Sequence, residues 1–243
     1  MGGEDLDKAI EKQVYAADQP QLQEQLQDMT DRQSRYQKFL QQVEDWERIS
    51  GQHIEAQTSE HGYPVLDLTG GDPATNLMLL RILDRSEEYV YHGMQNNEFR
   101  RAAGMPEVDT WESLDPSLSH QAEGRKRVYA TRRLDGGLTH ALIEHRFRDA
   151  NPNGGQTYAL KPLRSEDGRT VEFSPALADA MGRGEVPFVD GLLYILPSSE
   201  FEANPDTDHE VVANHQVYPV AVVRVGKEFG PLVVQPDNIE RQG

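Results

Sequence analysis

Between Leu22 and Val43 apolar residues recur at alternating steps of four and three: Leu22, Leu26 and Met29, then Tyr36, Leu40 and Val43, with the polar Gln33 interrupting the seam. Such spacing lines one side of an α-helix. The intervening positions are dominated by Gln, Asp, Glu and Arg, and no Gly or Pro occurs between Gln21 and Ser50. One helix of roughly seven or eight turns is expected. Phe39, Trp46 and Ile49 add bulk near its end, which predicts that this end packs against something while the first half is more exposed. The seam suits either a helix folded back on its own domain or a short coiled-coil or partner-binding arm. Residues 5–17 are expected to form a separate, shorter helix that stops before Pro20.

Beyond Gly51 the pattern changes. Gly62-Tyr63-Pro64-Val65-Leu66-Asp67-Leu68-Thr69-Gly70-Gly71 reads as a short strand closed by glycines. Asp72 then supplies an N-cap and Pro73 the first position of a helix through Leu83. Gly-Gly-Asp-Pro lacks the Lys-Ser/Thr of a phosphate-binding loop, so a structural turn is expected. Further strands are expected at residues 89–92, 128–131, 157–160, 170–173, 191–196, 217–225 and 232–234, and helices at 137–147 and 174–181. Regular β-α alternation is missing, which points to an α+β fold. The expected organisation is a long N-terminal helical arm, residues 1–58, followed by a mainly antiparallel mixed β domain with few helices, residues 59–243.

Composition narrows the function classes. No stretch approaches the roughly 18–20 apolar residues of a membrane span, and the opening residues lack the basic and apolar regions of a secretion signal. A cytoplasmic protein is the default expectation. The absence of cysteine excludes disulfides and thiolate sites, and no metal is expected. A net charge of −17 works against broad binding to nucleic acid. The densest basic segment is Arg125-Lys126-Arg127 with Arg132-Arg133, five cations within nine positions.

Three segments carry the candidate chemistry. They are Tyr91-His92-Gly93 on a strand, Val128-Tyr129-Ala130-Thr131, and Leu193-Tyr194-Ile195-Leu196-Pro197 leading into an acidic loop from Phe201-Glu202 to Glu210. In this order they resemble small bacterial ADP-ribosyltransferases, especially the rifampin-modifying and RNA 2'-phosphotransferase-like branch, over about residues 89–225. The arm has no counterpart there. The resemblance implies NAD as substrate. His92 would hold the ribose, Tyr129 would stack on the nicotinamide, and an acid, Asp208 or Glu210, would complete the site. Tyr91, Gly93 and Thr131 would be cofactor contacts, and Arg125, Lys126 and Arg127 would meet the pyrophosphate. Opening the nicotinamide–ribose bond develops oxocarbenium character, which a carboxylate stabilises while the other groups orient the ring.

Plainer readings stand beside these. Tyr129 fits cross-strand packing, His92 a hydrogen-bonded edge histidine, and the acidic loop a solvated surface. His140 and His145 are five apart, which places them on different sides of a helix, unlike paired metal ligands. His209 and His215 bracket Glu210 without completing a metal site. Ser198-Ser199 lacks the Gly-x-Ser-x-Gly elbow of a hydrolase. The competing class is a non-enzymatic interaction protein, with a protein partner or a second copy meeting residues 20–50. A third is a protein acting on RNA ends, against which the acidity weighs.

Overall fold

The computed structural model describes residues 4–95, 110–118, 126–143, 188–205 and 210–233. The strands expected at 157–160 and 170–173 and the helix at 174–181 lie outside them. The described residues form an α+β fold: a long N-terminal helix followed by a mixed sheet with few further helices.

Helix α1 spans Glu4–Ser50, 47 residues, or about 70 Å at 1.5 Å per residue. It is continuous through Pro20, so the expected break before that proline is corrected. From Gln23 to Asp31 every side chain is exposed, including Leu26 and Met29. The seam then turns inward. Tyr36, Phe39, Val43 and Trp46 are buried, each contributing on the order of 1.5–3 kcal/mol on the area scale. The second half of the helix is therefore folded against the rest of the chain.

The strands among the described residues are β1 (Ala56–Thr58), β2 (Pro64–Leu68), β3 (Tyr89–Gln95), β4 (Val128–Thr131), β5 (Gly191–Pro197), β6 (Glu202–Ala203), β7 (Glu210–Ala213) and β8 (Ala221–Val225). They form one sheet in the order β1-β2-β8-β5-β3-β4-β7-β6. Of these neighbours, β2 and β8 pair in parallel and the rest antiparallel. Residues 56–58, at the end of the expected arm, pair with β2 and belong to the sheet.

Among the described residues three short α-helices follow α1: α2 (Pro73–Asp84), α3 (Leu134–Leu142) and α4 (Gly230–Val233). At α2 the expected cap is present, with the Asp72 carboxylate accepting from the Thr75 amide at 2.9 Å. The sheet has two packed faces. On the first, Leu80 and Leu83 of α2, Leu138 and Leu142 of α3, and Phe39 and Trp46 of α1 cover Tyr91, Leu193 and Val223. On the second, Tyr36, Tyr63, Leu114 and Val217 pack with Val90, Ala130, Tyr194 and Val222. Strand β5 is buried along its whole length, as a strand covered on both faces must be. Helix α1 reaches both clusters and so crosses the end of the sheet.

Several expectations are corrected here. Residues 232 and 233 fall in α4 rather than a strand. The strand expected from 217 starts only at Ala221, because Pro219 has no N–H to give a ladder. Val217 instead makes an isolated antiparallel bridge to Leu114. The acidic loop contains β6 and the start of β7, which pair with each other. Helix α3 begins at Leu134, three residues early, so that Gly136 and Gly137 lie inside it. Gly137 is needed there, since a Cβ would come within 2.6 Å of Tyr91 Cβ. A Cβ on Gly93 would run into the Gly137 carbonyl and the Ala141 amide, and one on Gly191 into the Ala141 carbonyl. Helix and strands meet at backbone distance. Among the described residues no helix is long and apolar enough to cross a membrane.

Because rigid backbone atoms oppose it, Gly93→Ala is expected to cost upward of about 3 kcal/mol in urea denaturation. Gly51 is the comparison, with φ +71° and nothing within 4 Å of where a Cβ would stand. Gly51→Ala should cost only about 1–2 kcal/mol of left-handed strain. Equal losses would refute the packing account.

Candidate functional site

The sheet order places the strands carrying His92, Tyr129 and Glu210 side by side as β3, β4 and β7. Strand β4 pairs with β7 along its full length, Thr131 opposite Glu210 and Tyr129 opposite Val212. Strands β3 and β4 pair only at Tyr91 and Thr131. Beyond that pair, β3 continues along β5 to Gln95 while β4 stays with β7. The sheet thus opens between them, and His92 is the first residue past the junction.

The His92 ring bridges this opening, with Nδ1 2.6 Å from the carbonyl oxygen of Tyr129. A carbonyl only accepts, so Nδ1 carries the proton and donates. In the neutral ring Nε2 is then the basic nitrogen, an arrangement suited to proton transfer or ligand binding. His92 also lies directly opposite Tyr194 on β5, the two rings edge to face at 6.3 Å between centroids.

Strand alternation decides which groups share a face. His92 falls on the second face with Val90 and Tyr194. Val128 and Ala130 are on that same face, so Tyr129 between them points to the first. Glu210 precedes Val211, a second-face residue, and so falls on the side of Tyr129. The sequence-derived trio is brought onto neighbouring strands but not onto one face.

Glu210 is held by the Asn204 side chain, whose Nδ2 donates to Oε2 at 3.0 Å, and by the backbone bond from Asn204 N to Glu210 O at 3.1 Å. Asp208 and Arg125 lie outside the described residues. Arg127 is half-buried just ahead of β4, and Lys126 is exposed. The Thr131 hydroxyl accepts from the Arg133 amide at 3.1 Å and so shapes the turn into α3. Tyr91 is buried on the first face, and the space beside Gly93 is filled by α3 rather than left open for a ligand. His215 lies 3.6 Å from Glu200.

Two groupings were not anticipated from sequence. On the second face Tyr63 Oη donates to the Trp111 carbonyl at 2.6 Å, and the Trp111 amide donates to Tyr194 Oη at 3.0 Å. Burial pushes the Tyr63 phenol up to about 12 and raises that of Tyr194 further. These links join residues 48 and 83 positions apart, a separation with no local pattern to betray it. On the first face Arg81 and Asp84 of α2 meet Asp135 of α3, with Arg81 Nη2 3.6 Å from Asp135 Oδ1. The Tyr91 hydroxyl is buried beside Asp84, within electrostatic reach but outside normal hydrogen-bond geometry. Burial raises the Asp84 carboxyl above its usual range, Tyr91 opposes the shift, and Asp135 adds to it.

Comparison with protein-family models, curated proteins and solved structures gave no match. The site stands on its own geometry.

Asp84 supplies a test of the electrostatics. Its folded-state affinity for a proton exceeds that of the unfolded chain, so ionisation at 84 costs stability above the raised value, and the cost fades as pH falls toward the unfolded value of about 4. Asp84→Asn should raise the thermal midpoint near neutral pH, with a gain that shrinks on acidification to about pH 4. A variant less stable than wild type at neutral pH would contradict this.

Proposed function

We propose that this chain binds NAD and opens its nicotinamide–ribose bond, passing ADP-ribose to an acceptor. The observation that carries the reading is the His92–Tyr129 contact at the opening between β3 and β4, which joins two of the three motifs of the resemblance at one point. A ligand seated in that opening meets the basic Nε2 of His92 from one side. Glu210, on β7, lies across β4 from the same junction. His92 orients the ribose, and the acid that the resemblance calls for, Asp208 or Glu210, would stabilise positive charge as the glycosidic bond lengthens. Lys126 and Arg127, at the start of β4, offer countercharge to a pyrophosphate. A cytoplasmic setting suits such a substrate.

One observation favours the second reading, a non-enzymatic interaction protein. His92 and Glu210 occupy opposite faces of the sheet, whereas the chemistry requires both to reach one bond. Incubation with NAD separates the two. The enzyme reading expects nicotinamide release, lowered at least about a hundredfold in His92→Ala and Glu210→Gln, with unchanged circular dichroism and melting. Absence of both NAD binding and turnover in the wild-type protein would leave the interaction reading.

A further inference from the structure

We propose that the exposed stretch of α1 around Leu26 and Met29 pairs with the same stretch of a second copy of this chain, giving a weak two-fold dimer through the helical arm. The pairing does not depend on the NAD reaction above.

Met29, Tyr36 and Val43 follow one another at heptad spacing, so they lie on one line along the helix. Tyr36 and Val43 are buried, whereas Met29 keeps 60 % of its surface and Leu26, on the adjoining line, 55 %. One apolar strip is thus covered along the docked half of α1 and bare just ahead of it. Its cover ends near Arg32, which lies over the Tyr218 ring, and from Gln23 to Asp31 every side chain is exposed.

Charge selects the occupant. A chain of net charge −17 repels its own copies, and can meet one closely only where the contact is free of acids. The bare strip is such a place. Gln23, Gln25 and Thr30 flank Leu26 and Met29, at positions that border the seam when two helices pair. Glu24 and Asp31 stand on the opposite side of the helix, and Asp28 is turned well away from the seam. Asp28 pairs with Arg32 at 2.9 Å, and Asp31 accepts from the Gln27 amide at 2.8 Å.

A basic partner would find no countercharge beside the strip. An identical helix meets apolar with apolar and amide with amide, a self-complementary contact of the kind a two-fold dimer requires. The other exposed apolar pair among the described residues, Met78 and Ile82 on α2, has Arg81 and Arg85 beside it, so a second copy there would bring like charges together. Two apolar side chains from each arm make a narrow contact, and the dimer forms and separates reversibly.

Sedimentation of the full chain over a concentration series should show a shift from the mass of one chain to that of two. With the methionine methyl groups labelled for NMR, the Met29 resonance should move with the same midpoint, while that of Met78, which keeps 59 % of its surface, should stay. Leu26→Glu combined with Met29→Glu should sediment as one chain throughout and keep the melting midpoint of the wild-type monomer. Gln23→Glu combined with Gln25→Glu, which brings acids to the flanks, should weaken association roughly fivefold. A one-chain mass at every concentration, or a dimer that survives Leu26→Glu with Met29→Glu, would overturn the proposal. So would a lowered melting midpoint in that variant at concentrations where the wild type is a single chain, because it would show the strip covered by the chain's own residues.

Discussion

The architecture depends on the approach of α3 to β3 and β5 at backbone distance. Gly93, Gly137 and Gly191 lie at the contact, and a Cβ at any of them would overlap backbone or β-carbon atoms of the facing element. Such closeness cannot be adjusted by rotating side chains. It fixes which face of β3 the helix covers, and through the two-residue period of the strand it sends His92 the other way. The orientation of the candidate base thus follows from the glycine beside it. Gly93, expected as a cofactor contact, faces the backbone of a helix.

Much of the fold was legible in the sequence because its signals are local. The seam from Leu22 to Val43 announced α1, Asp72-Pro73 announced the start of α2, and the apolar run at 191–196 announced β5. What was missed turns on pairing. Glu202–Ala203 and Glu210–Ala213 are too short to read as strands, the second standing at the end of an acidic loop, and become strands by pairing with each other and, for the second, with β4. Residues 232 and 233 have β-branched and aliphatic character that suits a strand, yet close a single helical turn. The continuity of α1 through Pro20 overrode a sound local rule.

The candidate site divides in the same way. His92, Tyr129 and Glu210 were found as residue types in order, and the sheet does bring their strands together. Their faces could not be read, since that needs the register of β3 against β5 and of β4 against β7. The Tyr63–Trp111–Tyr194 grouping left no trace in the sequence because its members are remote along the chain. Asp84 and Asp135 were likewise hidden, being ordinary helix-terminal acids until α2 and α3 are packed.

The long helix and the acidity bear on one another. Along its docked half α1 is tied to the sheet end by paired charges, Arg35 with Glu200 and Lys38 with Glu88, by the Tyr89 hydroxyl on Gln42, and by Arg32 lying 4.0 Å over the Tyr218 ring. Exposed pairs of this kind contribute little individually, so the apolar contacts of Phe39, Val43 and Trp46 dominate the docking and the charges set its register. Those contacts engage three of the helix's cations with groups of the body. Around β4 the balance differs. Lys126 and Arg127 precede the strand and Arg132 and Arg133 follow it, so a chain of net charge −17 bounds its candidate site at both ends with positive charge. Screening confines each charge to about 8–10 Å, so an anionic ligand at the opening beside β4 would sense these four cations together with Glu210 across the strand, rather than the net charge of the chain. The acidity that argues against broad binding to nucleic acid does not argue against a small dianion at this one place.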